Sequence, residues 1–137
     1  MRWTGAFAHA FDARVDILHA DWFEMPRYFT PSQIEYFLGE EHDKRTILEA
    51  ELSQMAATSF GNNIRYDVSV VEGHPDQLIL NAIRTRKPDL LVMESHGRKG
   101  FQRLKLESVT ETMTSEAPCP LLIIKHTEKQ KTESRSI

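Results

Sequence analysis

Residues 89–125 read DLLVMESHGRKGFQRLKLESVTETMTSEAPCPLLIIK, and the fold follows from this stretch. Leu90–Met93 is a short apolar strand that runs into Ser95-His96-Gly97, a basic turn and a second glycine at Gly100. A helix start is read at Glu107-Ser108-Val109-Thr110-Glu111, and Leu121–Ile124 is a second apolar strand. Strand, glycine turn, helix N-terminus and strand is the order in which α/β proteins present backbone amides to a phosphate. Ser108 and Glu111 stand three apart, the spacing of a capping box in which the hydroxyl caps the N3 amide and the carboxylate reaches back.

Working outward, the rest of the chain repeats the alternation. A helix is predicted over 3–12, with Phe7, Ala8 and Phe11 at helical spacing. Val15–Ala20 reads as a mostly apolar strand, as expected of a covered parallel strand. Residues 21–30 carry Trp22, Phe23, Pro26, Tyr28 and Phe29 and read as an ordered aromatic loop. Pro31 suits the first turn of a long helix that continues through Ser59, with Ile34, Phe37, Leu38, Leu48, Leu52, Met55 and Ala56 on one face. Glu41 and Arg45 interrupt that face and are read as a surface i,i+4 ion pair. Residues 60–63 stop the helix, and 64–70 alternate as a strand with one wetter face. Pro75 opens a further helix that Lys87-Pro88-Asp89 ends. Strands alternating with helices imply an α/β fold, an open parallel sheet with right-handed crossovers and helices on both faces.

Bulk properties narrow the class. A chain of 137 residues holds one domain with a real core. A formal net charge of −3 argues against a nucleic-acid binder, which carries a basic excess. No apolar run approaches the roughly 18 residues of a membrane span, and no signal peptide is recognised. A single cysteine, Cys119, excludes an internal disulfide framework, so a cytoplasmic location is expected. The polar residues 126–137 are expected to be a disordered tail.

The pieces Val15-Asp16-Ile17-Leu18-His19-Ala20, Glu72-Gly73-His74-Pro75, Pro88–Met93, Ser95-His96-Gly97-Arg98 and Ala117–Ile124 together resemble the universal stress protein family. The resemblance covers roughly 5–125, is strongest from Val68, and implies a single Rossmann-like domain of the adenine nucleotide alpha hydrolase type. Many members bind ATP through Gly, two residues, Gly, nine residues, then Gly with Ser or Thr. In that frame this chain keeps Gly97 and Ser108 but places Glu94 and Glu107 at the outer glycine positions. The ATP-contacting positions that the resemblance carries over are Met93, Gly97, Ser108 and Val109. A Cβ obstructs the close backbone approach that glycine permits. A carboxylate about 5 Å from a phosphate charge costs about 3 kcal/mol at an effective dielectric near 20. Arg98, Lys99, Arg103 and Lys105 lie in the same loop and could offset that charge, and a glutamate could ligate Mg²⁺. The expectation is a weakened or lost nucleotide site, with ATP and Mg²⁺ as the cofactors that could still bind.

The family also opens on an apolar strand, placed in the middle of the sheet, for which this sequence has no counterpart. A truncated product or mis-set start is the favoured reading, against direct pairing of the flanking strands or a strand donated by a partner.

Among other side chains, His96 is read as a turn residue rather than a general acid, and His19 as a core histidine. Cys119 is read as a small buried hydrophobe, and Arg98, Lys99, Arg103 and Lys105 as a solvated loop. No metal site is expected. The last strand, Leu121–Ile124, is an edge strand by family topology, through which a homodimer is expected. The function implied is a cytoplasmic stress-response regulatory or scaffold protein acting through protein partners, and not an enzyme. An ATP-dependent switch is the alternative, and an ATP-hydrolysing or phosphotransfer enzyme a more remote one.

Overall fold

The computed structural model describes residues 1–22, 27–95 and 101–125, with side chains described up to 94 and again from 108. Eight elements follow in the order α1 (Arg2–Phe11), β1 (Val15–Asp21), α2 (Pro31–Phe60), β2 (Tyr66–Glu72), α3 (Pro75–Arg86), β3 (Leu91–Ser95), α4 (Phe101–Glu116) and β4 (Leu121–Lys125). They fall into two compact units, Met1–Pro75 and Asp76–Ile137. All ladders are parallel: β1 pairs with β2 from Val15↔Tyr66 to Asp21↔Glu72, and β3 with β4 from Leu91↔Leu121 to Ser95↔Lys125. Among the described residues these are two separate two-stranded sheets, one in each unit.

In the first unit, Ala8, Ala56, Phe60 and Ile64 form the buried core, with Val15, Ile17, Tyr66 and Val68 packed against it. Gly5 lets α1 lie close to the end of α2: a Cβ there would come within 3.1 Å of Phe60 Cδ1 and 3.2 Å of the Ser59 carbonyl oxygen. Phe7 and Phe11, expected on the inner face, are exposed and stack on each other at 6.3 Å. His19 is exposed rather than in the core, because two paired strands cover less of each other than a wide sheet would.

The long helix is correct in extent, and its start is fixed by a motif that went unread. Thr30 is the N-cap. Its Oγ1 accepts from the Gln33 amide at 3.3 Å, Gln33 Oε1 accepts from the Thr30 amide at 2.9 Å, and Pro31 occupies the first turn. Gly61 ends α2 at φ 63°, ψ −155°, a conformation reserved for glycine. The inward stripe runs Ile34, Phe37, Glu41, Arg45, Leu48, Leu52, Ala56 and Phe60, spaced three or four apart. Leu38 and Met55 lie off it and are exposed.

In the second unit, Ile83 of α3, Met93 of β3, and Val109 and Met113 of α4 form the core. Cys119 is half-buried against it rather than fully enclosed. The helix α4 begins at Phe101, earlier than the start read at Glu107, so Ser108 and Glu111 lie inside it and form no capping box. A Ser–x–x–Glu spacing caps only where the backbone leaves the helix, and here it continues.

Candidate functional site

The nucleotide-type site would form where β3 ends and α4 begins, at the carboxyl edge of the second sheet, as ligand sites of parallel α/β sheets do. Met93 is the third residue of β3, and its side chain is buried among Ile83, Val109 and Met113. Any contact it offers a ligand is therefore through its backbone. Glu94 follows, half-buried, opposite Ile124 in the ladder. Gly97 lies outside the described residues, as do His96, Arg98 and Lys99, and the side chains of Arg103, Lys105 and Glu107 are likewise outside them.

Ser108 and Val109 are in the third turn of α4. There each amide is directed at the carbonyl four residues back, whereas free amides occur in the first turn of a helix. The Ser108 side chain is exposed, while Val109 is buried at 8% exposure and serves the core. Thr112 Oγ1 lies 3.1 Å from the Ser108 carbonyl oxygen and 3.2 Å from Asp76 Oδ2, tying α4 to the first turn of α3. The other carboxylate oxygen, Asp76 Oδ1, is buried without a hydrogen-bond partner. Of the positions carried over by resemblance, the structure thus brings Met93 and Val109 together, through their side chains in the core.

A second cluster, at the carboxyl edge of the first sheet, was not anticipated. Asp21 and Glu72 are the last residues of their strands and sit side by side in register. Arg45 spans them, its Nε 3.4 Å from Asp21 Oδ2 and its Nη2 donating to Glu72 Oε2 at 3.0 Å. Arg45 is therefore not the i,i+4 partner of Glu41. That carboxylate is buried at 9% exposure and accepts from Lys44 Nζ at 3.0 Å. The hydrogen bond and the negative charge of Glu41 hold the Lys44 pKa above its ordinary value. Beyond the strand ends, the Trp22 and His74 rings meet at 5.7 Å, and the Gly73 amide donates to the Asp21 carbonyl at 3.1 Å. The signal in the sequence was the stripe itself: charged residues at inward positions of a helix need partners across the interface.

The universal stress protein family model matches residues 1–125. The chain belongs to the universal stress protein family. A relative from Thermus aquaticus, a universal stress protein in a QAH/OAS sulfhydrylase 3' region, is 33% identical over 120 residues, covering 88% of this chain and 83% of its own. Among solved structures, an Arabidopsis thaliana universal stress protein family protein with AMP bound superposes with a TM-score of 0.62 at 19% identity, over 93% of this chain and 76% of that one. A universal stress protein in complex with cAMP gives 0.58 at 20% identity, over 93% and 86%. These structural matches establish the α/β fold expected from the alternation of elements. Among the described residues no helix is long and apolar enough to cross a membrane.

Proposed function

We propose that this universal stress protein is a non-enzymatic regulatory or scaffold protein of the cytoplasm, working through protein contacts, with a weakened nucleotide site. The observation that carries the reading is the placement of Ser108 and Val109 inside α4, away from a helix N-terminus. Amides already committed to a helical ladder do not cradle a phosphate. Glu94 and Glu107, at positions where the ATP motif has glycine, add negative charge and a Cβ. The residues described at Met93, Ser108 and Val109 do not by themselves fit a phosphate cradle.

Calorimetric titration of the whole chain with Mg·ATP and with AMP tests this. Dissociation constants above the millimolar range are expected, and micromolar binding overturns the reading. ATP turnover above buffer background, lost in Ser108→Ala, would overturn the non-enzymatic assignment.

A nucleotide-dependent switch is the second reading, favoured by the AMP and cAMP complexes of the structural neighbours. Under it, the double variant Glu94→Gly/Glu107→Gly binds no more tightly than the natural chain. Under the first reading that variant gains affinity, each removed carboxylate being worth on the order of tenfold or more.

Self-association through β4 belongs to the same proposal. Among the described residues β4 pairs with β3 alone, and Ile123 is 37% exposed. An apolar edge of this kind accepts a second strand. Sedimentation at tens of micromolar should give a dimer, and a monomer at that concentration removes this part.

A further inference from the structure

The helix α2 outruns the sheet it packs on. At one end Phe60 meets Tyr66, the first residue of β2, with ring centroids 5.6 Å apart. At the other, Arg45 reaches the last residues of β1 and β2. From Arg45 to Phe60 a helix rises about 23 Å, the length of a seven-residue strand. The remainder, Pro31–Lys44, therefore projects about 21 Å past the carboxyl edge of the first sheet.

This projecting arm carries a cavity of about 410 Å³, lined by Phe29, Ser32, Gln33, Tyr36, Phe37 and Glu40. The volume falls in the range of small-molecule sites. Phe29 and Phe37 meet edge to face at 5.8 Å and 74°. Tyr36, further along the lining, donates its phenolic hydrogen to Glu40, and this bond with the Glu40 charge raises the Tyr36 pKa above its usual value. Glu40 is the only charged residue among the described residues that line the cavity; Lys44, one turn along α2 and outside the lining, feels its charge.

We propose that the cavity on the arm of α2 binds a small alkylated ammonium cation, held by the Phe29, Tyr36 and Phe37 rings and by the Glu40 carboxylate. Aromatic rings attract cations through their negative faces, and a carboxylate supplies the counter-charge. Alkylation is part of the inference. A primary ammonium brings three donors that each need an acceptor. The lining side chains offer few: Gln33 Oε1 already caps Thr30, leaving the Ser32 and Tyr36 hydroxyl oxygens and a carboxylate that already accepts from Tyr36. A quaternary ammonium has no donors to satisfy and buries its methyl groups against the rings. None of these residues belongs to the nucleotide-type loop, so the proposal stands or falls apart from the function proposed above.

The test is calorimetric titration of the whole chain with choline chloride at low ionic strength, beside 3,3-dimethylbutan-1-ol, its uncharged isostere. Saturable choline binding is expected, with the isostere about tenfold weaker. Glu40→Gln should weaken choline by a similar factor while helical circular dichroism is unchanged. No saturable binding, equal binding of choline and isostere, or full affinity in a folded Glu40→Gln overturns the proposal. Should Glu40→Gln not fold, chemical-shift mapping on the natural chain decides. Choline-induced shifts at Phe29–Glu40 support the site, and shifts elsewhere or none overturn it.

Discussion

Arg45 shows how one side chain can organise the end of a sheet. Its side chain is 24% exposed and touches two carboxylates that register brings side by side. Removing it would take from Asp21 and Glu72 the cation that bridges them. Arg45→Ala is expected to lose about 1–3 kcal/mol in urea denaturation. Arg45→Lys should recover only part of it, because an ammonium cannot span two acceptors as a guanidinium fork does. A variant as stable as the natural protein would mean the bridge contributes nothing. Gly61 makes a second prediction at this scale. Its φ of 63° with ψ −155° admits a Cβ only under strain, though nothing lies within 4 Å of where it would be. Gly61→Ala should therefore cost about 1–3 kcal/mol of backbone strain alone. Unchanged thermal stability would show that the turn relaxes.

The elements differ in how much of them could be read from sequence. Strand and helix alternation was legible throughout, because apolar runs at 15–20, 90–93 and 121–124 are separated by long segments of helical spacing. The start of α4 was not legible. Ser108-Val109-Thr110-Glu111 carries the residues of a capping box, but Phe101–Leu106 is itself good helix sequence and extends the helix backward through it. The true box, Thr30-Pro31-Ser32-Gln33, was overlooked in favour of its proline alone. The site residues were legible as types but not as geometry, since whether Ser108 offers a free amide depends on a boundary set by residues seven positions earlier. Packing between helices was equally hidden. Gly5 reads as a weak point of α1, yet it marks the close approach to Ser59 and Phe60. Gly5→Leu should lower the melting temperature by several degrees. In Gly5→Ala, the gain in helix propensity of about 1 kcal/mol offsets much of the crowding. A Leu variant that melts with the natural protein would mean α1 shifts away at no cost.

At the scale of the whole molecule, each unit rests on a sheet of two strands and on a small core. Two paired strands hold only when helices cover them, so stability depends on α2 for the first sheet and on α3 and α4 for the second. Scanning calorimetry of the chain with and without millimolar Mg·ATP reads this directly. A cooperative transition unmoved by nucleotide is expected. A clear upward shift would show that ATP binds the native state.

The register of the first ladder also has a consequence in time. Val15 pairs with Tyr66, and everything between them, including the whole of α2, must be made first. At roughly 5–20 residues per second a ribosome needs about 3–10 s to travel from one to the other. For the same interval after they leave the tunnel, Val15, Ile17 and Leu18 wait for a ladder partner that has not yet emerged. The nascent chain is therefore most exposed to chaperone capture, or to wrong pairing with a neighbouring nascent copy, between the emergence of β1 and that of β2, and slow translation in that interval would lengthen the window.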